Sequence, residues 1–162
     1  MPTQVHVNMR TVVHAQTNGI TTAFPDVCKT PTPGGPIPIP YPNISQSTNT
    51  AQGSTTVKCD GQPIMLKDAK FSMSTGDEPG TAGGNVVTNQ IKGASTFVMY
   101  SFDVKVEGKN VPRQLDLMIC NINGQVSGTP PAPCIQPGGA PPVPQKEDKE
   151  DDGPIEIAWE GE

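Results

Sequence analysis

Residues 26–43 read DVCKTPTPGGPIPIPYPN, and this stretch decides what kind of fold the chain can make. Prolines at 31, 33, 36, 38, 40 and 42 exclude a helix, because each ring fixes φ and removes a backbone donor. The same loss of donors excludes the interior of a regular sheet. Ile37, Ile39 and Tyr41 nevertheless recur at every second position. That is the spacing of a polyproline-like or edge strand with one face pressed onto something.

Working outward, the flanking segments also read as short strands and turns. Residues 5–15, VHVNMRTVVHA, place Val5, Val7, Met9 and Thr11 on one face and end at the turn signal TNG. A Ser/Thr/Asn-rich connector follows the proline stretch. VKCDGQPIML (57–66) then reads as a hairpin, with Asp60–Gly61 supplying the left-handed residues of a tight turn. STGDEPGTAGGNVV (74–87) is a glycine-rich loop, and 97–120 forms two or three closing strands. VKCDGQPIMLKD and VKVEGKNVPRQLD echo each other 47 residues apart, as two copies of one hairpin unit too small to bury its own face. No window supports a helix of ordinary length, since the best one, GQPIMLKDAKF, is short and contains Pro63. The expected fold class is all-β.

Composition limits how such a chain is held together. Of its 162 residues only 33% are apolar and 4% aromatic, against 17 glycines and 19 prolines, so short hairpins, a metal or a partner chain must supplement a small core. Charge is split along the sequence. Residues 146–162 hold eight acids and two lysines, a charge of −6, which leaves the first 145 residues at +1 of the net −5. A nearly neutral body argues against nucleic-acid binding. No apolar run reaches the ~20 residues that span a bilayer, and the start lacks the pattern of a secretion signal, so the expected starting compartment is the cytoplasm. From about Gly128 the composition turns to GTPPAPCIQPGGAPPVPQ, a semi-rigid proline linker. The like-charge block KEDKEDD and GPIEIAWEGE follow it, with Ile155, Ile157 and Trp159 alternating as in a strand that adds to an exposed edge. The division read from this is a body over 1–128 and an extended tail over 129–162.

The chain offers little catalytic chemistry. Neither a GxSxG nor an HExxH pattern occurs, GTAGG lacks the lysine of a phosphate loop, and Asp77–Glu78 reads as turn chemistry. Four cysteines, Cys28, Cys59, Cys120 and Cys134, are widely spaced without a CxxC pair. Without a secretion signal they read as reduced thiols, either small buried hydrophobes or metal ligands.

Several long motifs in order, AFPDVCKTPTPGGPIPIPYPNI, KDAKFSMSTGDEPGTAGG, IKGASTFVMYSFDVKVEGKNVPR and LDLM, resemble the PAAR-like family that caps contractile injection machines. The likeness runs from about Val5 to Asn121, and to the branch known as domain of unknown function 4150 in particular. It implies a small β cone of pseudo-threefold character, seated one per trimer on a VgrG-like β-helical spike. The implied role is a non-enzymatic tip for type VI secretion that sharpens the spike for membrane puncture and touches the target membrane transiently. Assembly would be cytoplasmic and export would follow with the spike. The alternative role is an adaptor whose tail links an effector to the spike. Family members place a structural metal, zinc or iron, near the point. The matching positions here are His14, Cys28 and Cys120, with Cys59 as a substitute fourth ligand because Pro112 has no ligating side chain.

Overall fold

A computed structural model describes residues 5–137 and places the proline stretch in a long antiparallel hairpin. The strands in chain order are β1 (His6–Val7), β2 (Arg10–Thr11), β3 (Ile20–Thr30), β4 (Ile37–Gln46), β5 (Thr50–Ala51), β6 (Lys58–Cys59), β7 (Gln62–Pro63) and β8 (Lys70–Phe71). They continue as β9 (Ser74–Thr75), β10 (Gly84–Asn85), β11 (Ala94–Phe97), β12 (Lys105–Val106), β13 (Lys109–Asn110), β14 (Leu117–Ile122) and β15 (Ala132–Ile135). One 3-10 turn, Ser47–Asn49, is the sole helical element among the described residues. None of these elements is a helix long and apolar enough to cross a membrane. The all-β expectation holds.

The main sheet runs β5-β8-β11-β14-β15-β3-β4-β9, with β10 pairing β3. Its core joins Val13, Met65, Ala69, Phe71, Phe97, Met118 and Cys134, and the Phe71 and Phe97 rings meet edge to face at 6.0 Å. In β3–β4, Ile39 lies opposite Cys28 and Tyr41 opposite Asp26, while Pro38 and Pro40 lie opposite Lys29 and Val27. An antiparallel residue turns its N–H and C=O to the same side, alternately inward and outward. A proline has no N–H to give, so Ile37, Ile39 and Tyr41 carry the ladder to β3 and the prolines face the free edge. That edge therefore presents carbonyls and no donors. On its far side β4 is paired only at Ile44 and Ser45, by β9. The stiff strand is an edge that another strand cannot extend. Restoring donors with Pro38→Thr and Pro40→Thr is expected to leave the fold intact and to promote self-association with rising concentration. Light scattering on the variant and the parent protein tests this, and identical masses at all concentrations would overturn the guard role.

Three further hairpins stand apart from this sheet: β1–β2, β6–β7 and β12–β13. Their turns are Asn8–Met9 (φ 50° and 67°), Asp60–Gly61 (52° and 77°) and Glu107–Gly108 (53° and 76°). Left-handed backbone at both positions is the type I′ turn, whose twist suits a two-residue hairpin. Equivalent backbone bonds close all three, from Val12, Ile64 and Val111 N–H to the carbonyls of Val5, Val57 and Val104. Equivalent side chains then meet in one apolar cluster, Val12, Ile64 and Val111 with Cys59, against which Val7 and Val106 pack. The two-copy echo in the sequence is thus a three-copy unit arranged around one point.

The boundary at residue 129 is corrected by β15, which lies between β14 and β3 in the main sheet. Alternation explains how a proline-rich segment does this. Ala132, Cys134 and Gln136 turn inward, while Pro133 faces out opposite Leu117. The Gln136 amide donates to Thr11 Oγ1 at 2.6 Å and to the Val12 carbonyl at 2.9 Å. The body therefore reaches at least Gln136, and Cys134 is a core residue. Lys146–Asp152 and the Ile155, Ile157, Trp159 pattern lie outside the described residues.

Candidate functional site

A polar centre lies where five segments of the body converge. A bulge between Ala23 and Asp26 turns the Asp26 side chain inward, and the loop after β9 brings Asp77 beside it; both are fully buried. Asn43 from β4 donates to Asp26 Oδ2 at 2.9 Å, Asn85 from β10 to Asp26 Oδ1 at 2.6 Å, and Asn121 from β14 to Asp26 Oδ2 at 3.0 Å and Asp77 Oδ2 at 3.2 Å. The Lys92 N–H serves both oxygens of Asp77 at 3.1 Å. Asn85 and Asn121 cannot turn round. Their Oδ1 atoms accept from the Val87 and Thr88 N–H groups and from the Gly93 N–H, which fixes both amide NH2 ends on the carboxylates.

Two buried carboxyls side by side disfavour carrying charge together. Burial first, then the hydrogen bond to Asp26, pushes Asp77 up to about 7. The Cys28 thiol donates to Asp26 Oδ1 at 3.2 Å; burial first and that bond second hold it protonated, well above the ordinary thiol range. Close backbone packing seals the centre. A Cβ on Gly80 would lie 2.3 Å from that of Cys28, which leaves no room for any larger residue. Sequence reasoning missed this centre because it assigned Asp77 to a turn. That reading describes Glu78, whose carboxylate takes the Gly76 N–H at 2.8 Å, and not its neighbour.

The four expected metal ligands do not share one place. His14 and Cys59 come together with Asp60, Cys28 with Asp26 and Asp77, and Cys120 belongs to neither group. Cys120 is buried against Ala23 and Ala132 with its sulfur toward Ser45, and burial raises its thiol. Each three-residue group brings its donor atoms within 4.8 Å of one another. Each set is a candidate for holding a metal ion, and the hydrogen bonds around it bear on how well it would do so. A metal-bound histidine donates the proton of its other ring nitrogen. His14 Nδ1 instead accepts the Gln16 N–H at 3.2 Å, which puts the ring proton on Nε2, facing Asp60 Oδ2 at 3.1 Å. Around Asp26 and Asp77 the inward groups are amide N–H donors, whose positive ends favour an anion over a cation.

A family model described as the toxin PAAR-like domain matches residues 19–128. The chain belongs to this toxin PAAR-like family. It is 38% identical over 153 residues to the DNase toxin Tse7 of Pseudomonas aeruginosa strain PAO1, a match covering 87% of this chain and 40% of Tse7. The chain thus spans less than half the length of that relative. No solved structure matches it.

Proposed function

We propose that this chain is the non-enzymatic tip of a contractile injection spike, one copy closing one trimer. The observation that carries the reading is the threefold repetition of the type I′ hairpin around a single apolar cluster. A monomer that caps a trimer matches its symmetry when the monomer's own units repeat three times about one axis, and these hairpins repeat in that way. Assembly in the cytoplasm, export with the spike and brief contact with a target membrane follow from that role. The DNase activity in the name of Tse7 belongs to that protein, and the match leaves most of its length without a counterpart here. In this chain both ring nitrogens of His14 are engaged, by Asp60 and Gln16, which leaves none to act as a base toward Cys59.

A second reading has one observation in its favour. Tse7 carries the matched region within a longer protein named as a toxin, so a domain of this kind occurs joined to cargo. On that reading the present chain is an adaptor that brings an effector to the spike through residues beyond 137. Native mass spectrometry of the full chain with its neighbouring spike protein tests the primary reading. A 1:3 complex is the expected result, and no complex at micromolar concentrations of both would overturn it. Loss of an effector from that complex when residues 138–162 are deleted would establish the adaptor role.

A further inference from the structure

The first residue of each tip turn, Asn8, Asp60 and Glu107, carries a polar side chain that reaches out of its own hairpin. Asn8 Nδ2 donates to Asp103 Oδ1 at 3.0 Å, and its Oδ1 accepts from Ser101 Oγ at 2.5 Å and from Arg113 at 3.0 Å. Ser101 and Asp103 form the segment that leads into the third hairpin. Glu107 in that third hairpin grips the segment that leads into the second. Its Oε1 accepts from the Thr55 and Thr56 N–H groups at 3.0 and 2.8 Å, and from the hydroxyls of Ser54, Thr55 and Thr56 at 3.1, 2.9 and 2.6 Å. Asp60 in the second hairpin meets His14, just past the end of the first. The order is closed: first to third, third to second, second to first.

The leading segments of the second and third hairpins are built alike. Ser54 Oγ accepts the Val57 N–H at 2.8 Å, and Ser101 Oγ accepts the Val104 N–H at 3.1 Å. Five donors on one oxygen of an exposed carboxylate form a ready-made anion cradle, and the Thr56 hydroxyl foremost holds Glu107 down at about 2. Inside the ring, Cys59 occupies the position that Val7 and Val106 hold in the other two hairpins, buried in the same apolar cluster with its thiol toward Asp60 Oδ2 at 3.6 Å.

We infer that the point of this protein is locked by a closed ring of three turn-residue latches, Asn8, Asp60 and Glu107, around an apolar plug, in place of a metal ion. The ring is a property of the isolated chain and stands whether or not the spike reading does. A closed ring makes the latches cooperate, because releasing one loosens the other two.

The test uses glycine, which suits the left-handed backbone of all three positions and so removes the side chain without adding strain. Asn8→Gly and Glu107→Gly are each expected to lower the melting temperature of the full chain, and the double variant to lose less than the sum of the two. No hydrogen bond joins Asn8 to Glu107 directly, so strict additivity would overturn the ring. Amide exchange at Thr55 and Thr56 is expected to accelerate by about tenfold or more in Glu107→Gly, since those N–H groups lose their acceptor. Unchanged exchange there would also overturn it. The purified full chain is expected to hold far less than one equivalent of zinc or iron and to melt unchanged in chelator. One equivalent of metal, lost in Cys59→Ser together with stability, would overturn the metal-free part of the inference.

Discussion

Asp26→Asn is expected to cost about 2–4 kcal/mol at any pH, whereas Asp77→Asn is expected to stabilise the protein at pH 8 and to change little at pH 5. The two residues touch, yet their partners differ in kind. Asp26 receives donors alone, from Asn43, Asn85, Asn121 and Cys28, so an amide NH2 at that position must face another donor with no water to relieve it. Burial first and then the hydrogen bond to Asp26 push Asp77 upward, toward its protonated form. An asparagine there presents its oxygen to the Lys92 N–H and its NH2 to Asp26, which replaces the proton of that form permanently.

The sign of the pH effect follows from the direction of the shift. An unfolded Asp titrates near ~3.9, and Asp77 in the folded protein near about 7. Between those values the folded state keeps a proton that the unfolded chain has released, so stability falls as pH rises, by at most about 1.4 kcal/mol per unit, and levels off above the upper value. Calorimetric melts of the parent and both variants from pH 5 to pH 8 measure this. A parent protein with no pH slope in that window, or equal losses from the two variants, would show that Asp77 is not held toward its protonated form.

The second large effect concerns where the body stops. A chain ending at Gly128 is expected not to fold cooperatively, while one ending at Pro137 is expected to do so. The nine extra residues supply β15, which fills the gap between β14 and β3, the buried Cys134 side chain, and the Gln136 amide that holds Thr11 and Val12. Without them two strand edges lose their partner and the main core loses one wall. Circular dichroism and urea titration of the two chains distinguish them. Equal midpoints would return the boundary to residue 128.

Much of this fold is written in local signals, and the failures have local causes. Asp60–Gly61 and Glu107–Gly108 declare their turns because glycine takes a left-handed backbone at no cost. The first copy hides because Met9 adopts that backbone without the usual residue, at φ 67°, so the three-copy unit reads as two. Pro133 makes a buried strand look like a linker, since composition does not reveal that every second residue there is small or polar and faces inward. The asparagines that hold the Asp26–Asp77 centre lie 17 to 95 positions from the carboxylates they serve, on segments with no pattern in common. No window of sequence contains it. The four metal positions rest on resemblance, which carries residue types from one chain to another but not the hydrogen bond at the far side of a histidine ring.

The two edges of β3–β4 are finished at different moments in the life of the molecule. Along β4 the protection is covalent, because Pro38 and Pro40 are incapable of donating from the moment they are joined to the chain. Along β3 the protection is a strand made late, since Ile20 pairs with Ile135 and Thr21 with Cys134. A ribosome that has delivered the first hundred residues therefore holds a hairpin inert on one side and adhesive on the other, with the donor and acceptor of Ile20 still open. Pairings between distant parts of a chain form slowly and leave such edges open meanwhile. The hazardous interval in making this protein ends when residue 135 clears the exit tunnel.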